Sequence, residues 1–203
     1  MKALIYKQPG PDALSYVEVP DPEPGLRDVV LRVAASTVNH LDVIQRNGWF
    51  TMPGFTLPHI SGMDVAGTVI KIGDAVTSVK VGDRVIVDPS LTQVPEDSKL
   101  SGRGDLYGEL GVIGANVDGG YAEKCLAPDT HLYPIPDGMS WHEAVTFPTV
   151  WMTAHHALFD VADLQAGETI MIHAAGSGVS MAGIQLAKKA GAIVLATAGS
   201  AGK

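Results

Sequence analysis

The segment from residue 168 to residue 203 places the strongest constraint on the fold. It reads ETIMIHAAGSGVSMAGIQLAKKAGAIVLATAGSAGK, in which two short apolar runs flank a small-residue turn and a helical repeat. Lys188 and Lys189 precede Gly191, a pattern that is typical of the end of a helix. The segment therefore predicts a buried strand, a helix and a second buried strand, and the right-handed crossover rule makes the two strands parallel.

The turn between the first strand and the helix is suited to a phosphate group, although it departs from the usual fingerprint. Small residues let a pyrophosphate approach the backbone closely, and the N-terminus of a helix favours negative charge. The G-x-G-x-x-G spacing is absent, because Gly176 and Gly178 are followed by Met181 at the next required position. Taken alone, the turn fits either a dinucleotide site or an ordinary packed turn of an α/β protein.

Composition and charge narrow the range of partners. The chain has 203 residues and a net charge of −8, which disfavours a nucleic-acid partner. Its single cysteine, Cys125, excludes an internal disulfide and a Cys-rich zinc module, and we interpret it as a buried packing residue. No apolar run approaches the roughly 18 residues of a membrane span, and no signal peptide is evident. We therefore predict a cytoplasmic protein with no membrane partner.

The part of the chain before residue 136 has the pattern of a β-domain. Val- and Ile-rich runs alternate with Gly, Pro and Asp, which predicts a barrel or sandwich with one helix that begins after Asn39. Residues 88–118 show little periodicity and form a long loop. A capping box at Ser140 and Glu143 then opens helical segments, which Pro148 is expected to interrupt. We assign a β-domain to 1–135, a helical connection to 136–160 and a nucleotide-binding unit to 161–203.

Seven segments, in order along the chain, carry a resemblance to a known family: MKALIYKQPGPDAL, VNHLD, PHISGMDVAGTV, VKVGDRVIV, GGYAEKCLAP, FPTVWMTAHHAL and HAAGSGVSMAGIQLAKKAGA. They resemble the medium-chain dehydrogenase/reductase superfamily, especially its quinone-reductase and zinc-alcohol-dehydrogenase-like branches. The resemblance implies a GroES-like β-barrel domain with the substrate site, followed by the first β-α-β part of a Rossmann domain. A Rossmann domain normally has six parallel strands, so the chain is expected to be a truncated part of a longer, homo-oligomeric enzyme.

The resemblance implies a nicotinamide cofactor and a small-molecule substrate. Many zinc-free relatives use A-x-x-G-x-x-G at the phosphate turn, and residues 175–180 are similar to this pattern, with Ser180 in place of the last glycine. The implied cofactor-binding residues are Thr153, Ala175, Gly176, Ser177, Gly178, Val179, Ser180, Gly199, Ser200 and Lys203.

The same resemblance favours NADP(H) over NAD(H). Gly199 occupies the position where NAD-specific relatives carry an acidic residue for the ribose 2′-hydroxyl. A carboxylate would repel a 2′-phosphate, whereas Ser200 can donate a hydrogen bond to it and Lys203 can neutralise it. The alternative interpretation is that Ser200 and Lys203 belong to an ordinary polar loop.

The zinc positions implied by the resemblance hold poor zinc ligands. Asn39 and Met63 stand at the first two catalytic positions, and the third falls near Thr149. The four structural-zinc positions align with Gln93, Glu96, Lys99 and Tyr107, so the 88–118 loop is expected to keep the length of the zinc lobe without its metal. We predict no zinc and no other recruited metal site.

Hydride transfer to a conjugated acceptor remains feasible without a Lewis acid. The resemblance places Asn39 near the nicotinamide and the substrate, where its amide would donate to a carbonyl oxygen. His40 is the candidate proton donor, or otherwise a packing contact. Trp49 and Phe50 either line the substrate pocket or belong to the core.

Three functional hypotheses follow. The first is a zinc-independent, NADPH-dependent oxidoreductase that acts on a quinone, an enone or a related carbonyl compound. The second is a zinc-type alcohol dehydrogenase-like protein. The third is a catalytically silent fragment with a partial cofactor site. Metal analysis separates the first two, and cofactor titration separates both from the third.

Overall fold

Two units make up the chain, Met1–Val145 and Thr146–Lys203, and the computed structural model describes residues 1–102 and 111–200. The first unit is built mainly of β-strands. The second unit combines helices with a pair of parallel strands. No helix in the described ranges is long and apolar enough to cross a membrane.

The first unit contains one five-stranded antiparallel sheet and two strand pairs. The order in the large sheet is β8-β3-β4-β5-β9, while β1 pairs with β2 and β6 pairs with β7. Isolated bridges join Ala3 to Ala122 and Tyr6 to His59, and these connect the first strand to the rest of the unit. The strands are β1 (Lys2–Ile5), β2 (Ser15–Glu18), β3 (Asp28–Ser36), β4 (Val65–Ile72), β5 (Arg84–Val87), β6 (Ser90–Leu91), β7 (Gly111–Val112), β8 (Lys124–Pro128) and β9 (Leu132–Pro134).

Short β-branched runs form these strands, and the inward faces of the large sheet contribute to the main apolar core of the unit. The alternating residues Val29 and Leu31 of β3 and Val85 and Val87 of β5 are fully buried. Cys125 of β8 lies in the same core, which confirms its interpretation as a packing residue. Burial raises the pKa of its thiol to about 12, so the thiol stays protonated and unreactive.

Two short helices complete the first unit: α1 (His40–Arg46) and α2 (Trp141–Ala144). Asn39 is the N-cap of α1, as predicted. The capping box before α2 is confirmed, because the Glu143 N–H donates to Ser140 Oγ at 3.2 Å and the Ser140 N–H donates to Glu143 Oε2 at 2.9 Å.

A carboxylate anchors the long loop that follows β6. Asp28 is fully buried at the start of β3. Its carboxylate accepts hydrogen bonds from the backbone N–H of Gly25 at 2.9 Å, the backbone N–H of Lys99 at 2.8 Å and the hydroxyl of Ser98. Three of the predicted lobe positions, Gln93, Glu96 and Lys99, are described, and the fourth, at position 107, lies outside the described residues.

The second unit confirms the predicted strand–helix–strand order. Strands β10 (Thr169–Ile172) and β11 (Ile193–Ala196) pair in parallel, and the helix α4 (Gly178–Lys189) connects them. Gly191 has a φ of +86°, a left-handed conformation that suits glycine just beyond a helix end. Before these elements lie α3 (Pro148–His155) and a π-helical segment (His156–Val161).

One expectation for this unit needs correction, and one is confirmed. The strands β10 and β11 are not fully buried, because α4 packs against one face and the outward residues Met171, Ile193 and Leu195 are 57%, 57% and 50% exposed. Pro148 interrupts the helical segments as expected, because α2 ends at Ala144 and α3 begins at Pro148. It occupies the first turn of α3, where a missing backbone N–H costs no hydrogen bond.

Candidate functional site

A hydrogen-bonded cluster surrounds Asn39 in the first unit. It draws Thr37 and Asn39 from the end of β3 and the cap of α1, Asp42 from the first turn of α1, Asp64 from just before β4, and Tyr121 from the segment before β8. We call these five residues the Asn39 cluster. Asp42 and Asp64 are 8% and 2% exposed, so the cluster holds two buried acidic side chains.

The amide of Asn39 is directed into the protein. Its Nδ2 donates to Asp64 Oδ2 at 2.8 Å and to Thr37 Oγ1 at 3.2 Å. The Thr37 hydroxyl itself donates to Asp64 Oδ2. Both acceptors lie on the same side of the amide nitrogen, which has two hydrogens, so the donation from Asn39 to a substrate carbonyl stays a prediction.

The second carboxyl group, that of Asp42, forms hydrogen bonds with three different segments of the first unit. Its Oδ2 accepts from the Asn39 backbone N–H at 2.7 Å and from the Tyr121 hydroxyl at 3.0 Å, and its Oδ1 accepts from the Gly62 N–H at 3.3 Å. The Tyr121 hydroxyl also lies 3.0 Å from the Thr37 carbonyl oxygen. Gly62 is required here, because a Cβ would lie 2.6 Å from the Tyr121 ring and its φ is +102°.

Burial perturbs the titration of this cluster. Desolvation raises the pKa of Asp42, the charge of Asp64 raises it further, and the hydrogen bonds from Asn39, Tyr121 and Gly62 lower it in part. Burial and the charge of Asp42 together raise the pKa of the Tyr121 hydroxyl, which therefore remains protonated. Groups perturbed in this way are frequent in functional sites.

The other predicted residues of the first unit lie on its surface. His40 is exposed at the start of α1, and its proton-donor role stays a prediction. Trp49 and Phe50 are 73% and 54% exposed, so the alternative that they belong to the core is wrong. Exposed aromatic side chains remain compatible with a substrate-facing wall.

The residues at the zinc positions do not fit zinc. Asn39 directs its nitrogen to Asp64, Met63 is a buried thioether 6% exposed, and Thr149 lies on α3. Across 1–102 and 111–200, no three His, Cys, Asp or Glu side chains group as a metal site would require.

In the second unit, the turn before α4 has the construction of a phosphate-binding turn. Ser177 caps the helix and accepts from the Ser180 N–H at 3.2 Å. The Ser180 hydroxyl donates to the His173 carbonyl oxygen at 2.7 Å and so fastens the helix to the end of β10. Ala174, with a φ of +53°, makes the sharp bend. Counted from Ala175 and Gly178, the last position of A-x-x-G-x-x-G is Met181, so the expectation that Ser180 replaces the motif glycine is wrong, and Ser180 instead fastens the helix to the end of the strand.

Open space in front of this turn suits a bound phosphate group. A Cβ added at Gly176 or at Gly199 would meet no atom within 4 Å. Gly176, Ser177, Gly178 and Val179 are exposed, and Ala175 and Ser180 are half-buried. The geometry therefore fits the pyrophosphate of a dinucleotide, with the first-turn N–H groups of α4 as donors.

Three of the predicted cofactor residues, Thr153, Ser200 and Lys203, lie outside this turn in the sequence. Thr153 is exposed on α3, and Ser200 is exposed beyond β11. Lys203, the candidate partner of a 2′-phosphate, lies outside the described residues.

Most of the residues that form the hydrogen bonds around Asn39 cannot be recognised from the sequence. Asp64 is the exception, since an Asp within the apolar run SGMDVAG is expected to be buried and hydrogen-bonded. Thr37 and Tyr121 give no such signal, because their partners lie 27 and 79 positions away along the chain.

Comparison with protein families and curated proteins finds a matching domain family and relatives that are oxidoreductases. The model of the alcohol dehydrogenase GroES-like domain matches residues 25–137, more than half of the chain. A quinone oxidoreductase of Mus musculus is 33% identical over 202 residues, which are 98% of this chain and 53% of that protein. An acryloyl-coenzyme A reductase of Sulfurisphaera tokodaii is 31% identical over 200 residues, 96% of this chain and 58% of that protein. The chain spans about half the length of the curated relatives it matches.

Solved structures agree with this placement. A crystal structure of an NAD-dependent alcohol dehydrogenase superposes with a TM-score of 0.88 at 37% identity, covering 100% of this chain and 59% of that one. A mycobacterial protein complexed with NADPH superposes with a TM-score of 0.79 at 28% identity, covering 100% of this chain and 54% of that one. The chain belongs to the alcohol dehydrogenase GroES-like domain family, within the quinone-oxidoreductase-like branch of the medium-chain dehydrogenase/reductase superfamily.

Proposed function

We propose that the protein to which this sequence belongs catalyses zinc-independent, NADPH-dependent hydride transfer to a quinone, an enone or a related carbonyl compound. The observation that carries the proposal is the chemistry at the zinc positions, where Asn39 is hydrogen-bonded to Asp64 and Met63 is buried. The similarity to quinone oxidoreductases and to an acryloyl-coenzyme A reductase supports this class of acceptor.

The cofactor supplies the hydride, and the chain supplies its binding and orientation. Residues 175–180 would hold the pyrophosphate at the N-terminus of α4. The absence of a carboxylate at Gly199 supports NADP(H), because no acidic side chain at that position repels a 2′-phosphate. Asn39 would contact the bound substrate or nicotinamide, and His40 would exchange a proton with the reacting oxygen.

Titration of the chain with NADPH and with NADH, followed by nicotinamide fluorescence, tests the cofactor part of the proposal. We expect NADPH to bind more tightly than NADH. Gly176→Glu should abolish binding by repelling the pyrophosphate, whereas Gly176→Ala should keep it, because a Cβ at this position meets open space. Equal binding by wild type and Gly176→Glu, or no binding to either nucleotide, would contradict the proposed site.

A zinc-type alcohol dehydrogenase-like activity is the second candidate, favoured by the 37% identity to the NAD-dependent alcohol dehydrogenase. Metal analysis of the purified chain distinguishes the two. One zinc per chain would refute the zinc-independent proposal, and metal-free protein that reduces 1,4-benzoquinone with NADPH would refute the second candidate.

A further inference from the structure

The first unit contains a cavity of about 560 Å³. Its apolar wall is formed by residues of β1, of β8 and of the segments that follow β2 and flank the Asp118 turn: Ile5, Val19, Ile60, Val117 and Leu126. Of the described residues that line it, none belongs to the Asn39 cluster, and neither Trp49 nor Phe50 is among them. Small-molecule sites usually have volumes of about 300–1,000 Å³. The cavity is therefore large enough for a ligand, and its lining is distinct from the candidate functional site.

His59 stands at the wall of this cavity with a defined tautomer. The side chain is 3% exposed, and its Nε2 lies 3.1 Å from the Gly114 carbonyl oxygen. A carbonyl oxygen can only accept a hydrogen bond, so Nε2 carries the hydrogen of this contact. Burial lowers the pKa of His59, which favours the neutral ring. The other ring nitrogen, Nδ1, is therefore a lone-pair acceptor.

The Nδ1 atom of His59 lies beside a second acceptor. Oδ1 of Asp118, which also lines the cavity, is 3.6 Å from it. Neither atom has a hydrogen to give to the other while the ring is neutral. Within the described part of the chain, Asp118 accepts only from the Ile60 N–H, at 3.0 Å, and no group donates to His59 Nδ1. A hydrogen-bond donor bound in the cavity would supply what this acceptor pair lacks.

The charged side chains that line the cavity balance in sign. Lys99 and Lys124 stand against Glu23 and Asp118. Both ammonium groups are already engaged, because Lys99 Nζ donates to the Glu23 carbonyl oxygen at 2.6 Å and Lys124 Nζ pairs with Asp21. A lining of mixed sign gives little net attraction to an ionic ligand. The donor that suits the acceptor pair is therefore a neutral hydroxyl group.

We propose that this cavity binds a neutral compound with an apolar body and a hydroxyl group, a phenol or a related alcohol, whose O–H donates to the acceptor pair of His59 Nδ1 and Asp118. The apolar body lies against Ile60 and Val117, and the hydroxyl fixes its orientation. This second site is independent of the proposed function, because its lining includes none of the residues assigned to hydride transfer or to the nicotinamide cofactor.

Titration of the 203-residue chain with 4-fluorophenol, followed by fluorine NMR, tests the proposal. 4-Fluoroanisole is the matched ligand, since a methyl group replaces the hydroxyl hydrogen on the same ring. We expect saturable binding of the phenol and at least about tenfold weaker binding of the anisole, which leaves the acceptor pair without a donor. Equal affinity for the two ligands, or no saturable binding of the phenol, would overturn the proposal.

A cavity-filling variant locates the site. Val19→Trp places a large side chain at the apolar wall and should weaken 4-fluorophenol binding at least about tenfold. Val81→Trp is the matched control, because Val81 is 58% exposed and does not line the cavity, so the affinity should stay unchanged. Thermal denaturation verifies that both variants fold. Undiminished binding by folded Val19→Trp would refute the assignment to this cavity, and the ligand comparison in wild type decides the proposal if that variant does not fold.

Asp118→Asn tests the acceptor pair itself. Asparagine keeps an oxygen for the Ile60 N–H but loses the negative charge that strengthens a hydrogen bond from a hydroxyl. The preference for the phenol over the anisole should fall at least about threefold. Asp74→Asn, the same change at an exposed carboxylate that does not line the cavity, should keep the preference of wild type. An unchanged preference in Asp118→Asn would show that the hydroxyl does not bind at this pair.

Discussion

The buried carboxyl group of Asp42 makes the stability of the folded chain depend on pH. It is buried, it accepts three hydrogen bonds, and its neighbour Asp64 carries a like charge. Hydrogen bonds favour the ionised form of a carboxyl, whereas burial and a nearby carboxylate favour the protonated form. Burial has the largest effect here, so the pKa of Asp42 is raised in the folded chain.

The raised pKa of Asp42 predicts a pH dependence of stability with a definite sign. The folded state retains a proton that the unfolded state has already released, so the contribution of Asp42 to stability is fully present below about pH 4 and is lost as the pH rises through the raised pKa. Wild type should therefore lose free energy of unfolding between pH 4 and pH 7 relative to Asp42→Asn. Urea denaturation at several pH values measures this difference.

Asp74→Asn is the matched control, since Asp74 is exposed outside the cluster. Its difference from wild type should stay constant over the same pH range. If the stability difference between wild type and Asp42→Asn were independent of pH, or grew with pH, the assigned direction of the pKa shift would be wrong.

Local features at the residue scale were predictable, and long-range contacts were not. Asn39 is the N-cap of α1 because its short polar side chain directly precedes a helical repeat, which the sequence displays. The hydrogen bond that its amide nitrogen donates goes to Asp64, which lies 25 positions away along the chain. The order of residues contains no signal for that contact, since it arises from the pairing of β3 with β4.

At the scale of elements, Ser180 shows how one side chain can fix a helix to the end of a strand. Its backbone N–H donates to Ser177 and its hydroxyl donates to the carbonyl of His173. The first contact caps α4, and the second joins α4 to β10. A glycine at position 180 would remove the hydroxyl contact and add backbone freedom in the first turn of the helix.

We expect Ser180→Gly to lower the free energy of unfolding by about 1–2 kcal/mol, from the lost hydrogen bond and the poor helix propensity of glycine. Ser180→Ala should cost less, because alanine loses the hydrogen bond but favours the helix. Thermal and urea denaturation of the three proteins provide the comparison. A Ser180→Gly variant as stable as wild type would show that the hydroxyl contributes nothing to this junction.

The strands β10 and β11 illustrate a limit of periodicity. Their continuous apolar runs correctly predicted parallel strands, since alternation is lost when both faces are meant to be covered. The expectation of full burial failed because a sequence shows which residues favour burial but not which elements cover them. Within the described residues, α4 covers only one face.

At the scale of the whole molecule, this exposed strand face has a measurable signature. Met171 lies opposite Leu195 in the parallel register, and Ile193 lies on the same outward face, so the three form a contiguous apolar surface. Such surfaces bind hydrophobic dyes. We expect Met171→Thr/Leu195→Thr to reduce the fluorescence of bound anilinonaphthalene sulfonate at least about twofold.

Tyr16→Thr is the control for this prediction, because Tyr16 is a large exposed side chain, 64% accessible, on β2 of the first unit. It should change the dye signal little. Equal dye binding by wild type and the double variant would locate the dye-binding surface elsewhere on the chain.

The buried Asp28 carboxylate, which anchors the loop after β6, determines which nearby positions can be substituted. Two of the three hydrogen bonds to Asp28 come from backbone N–H groups, those of Gly25 and Lys99, which any residue except proline would supply. The Lys99 side chain also donates from Nζ to the Glu23 carbonyl oxygen at 2.6 Å, but this contact is exposed, so position 99 should tolerate substitution at a small cost in stability. Ser98 contributes its hydroxyl, and Gly25 has no room for a side chain, since Asp28 Oδ2 would lie 2.8 Å from an added Cβ. A mutational scan should find tolerance at most positions of the loop and intolerance at Gly25, Asp28 and Ser98.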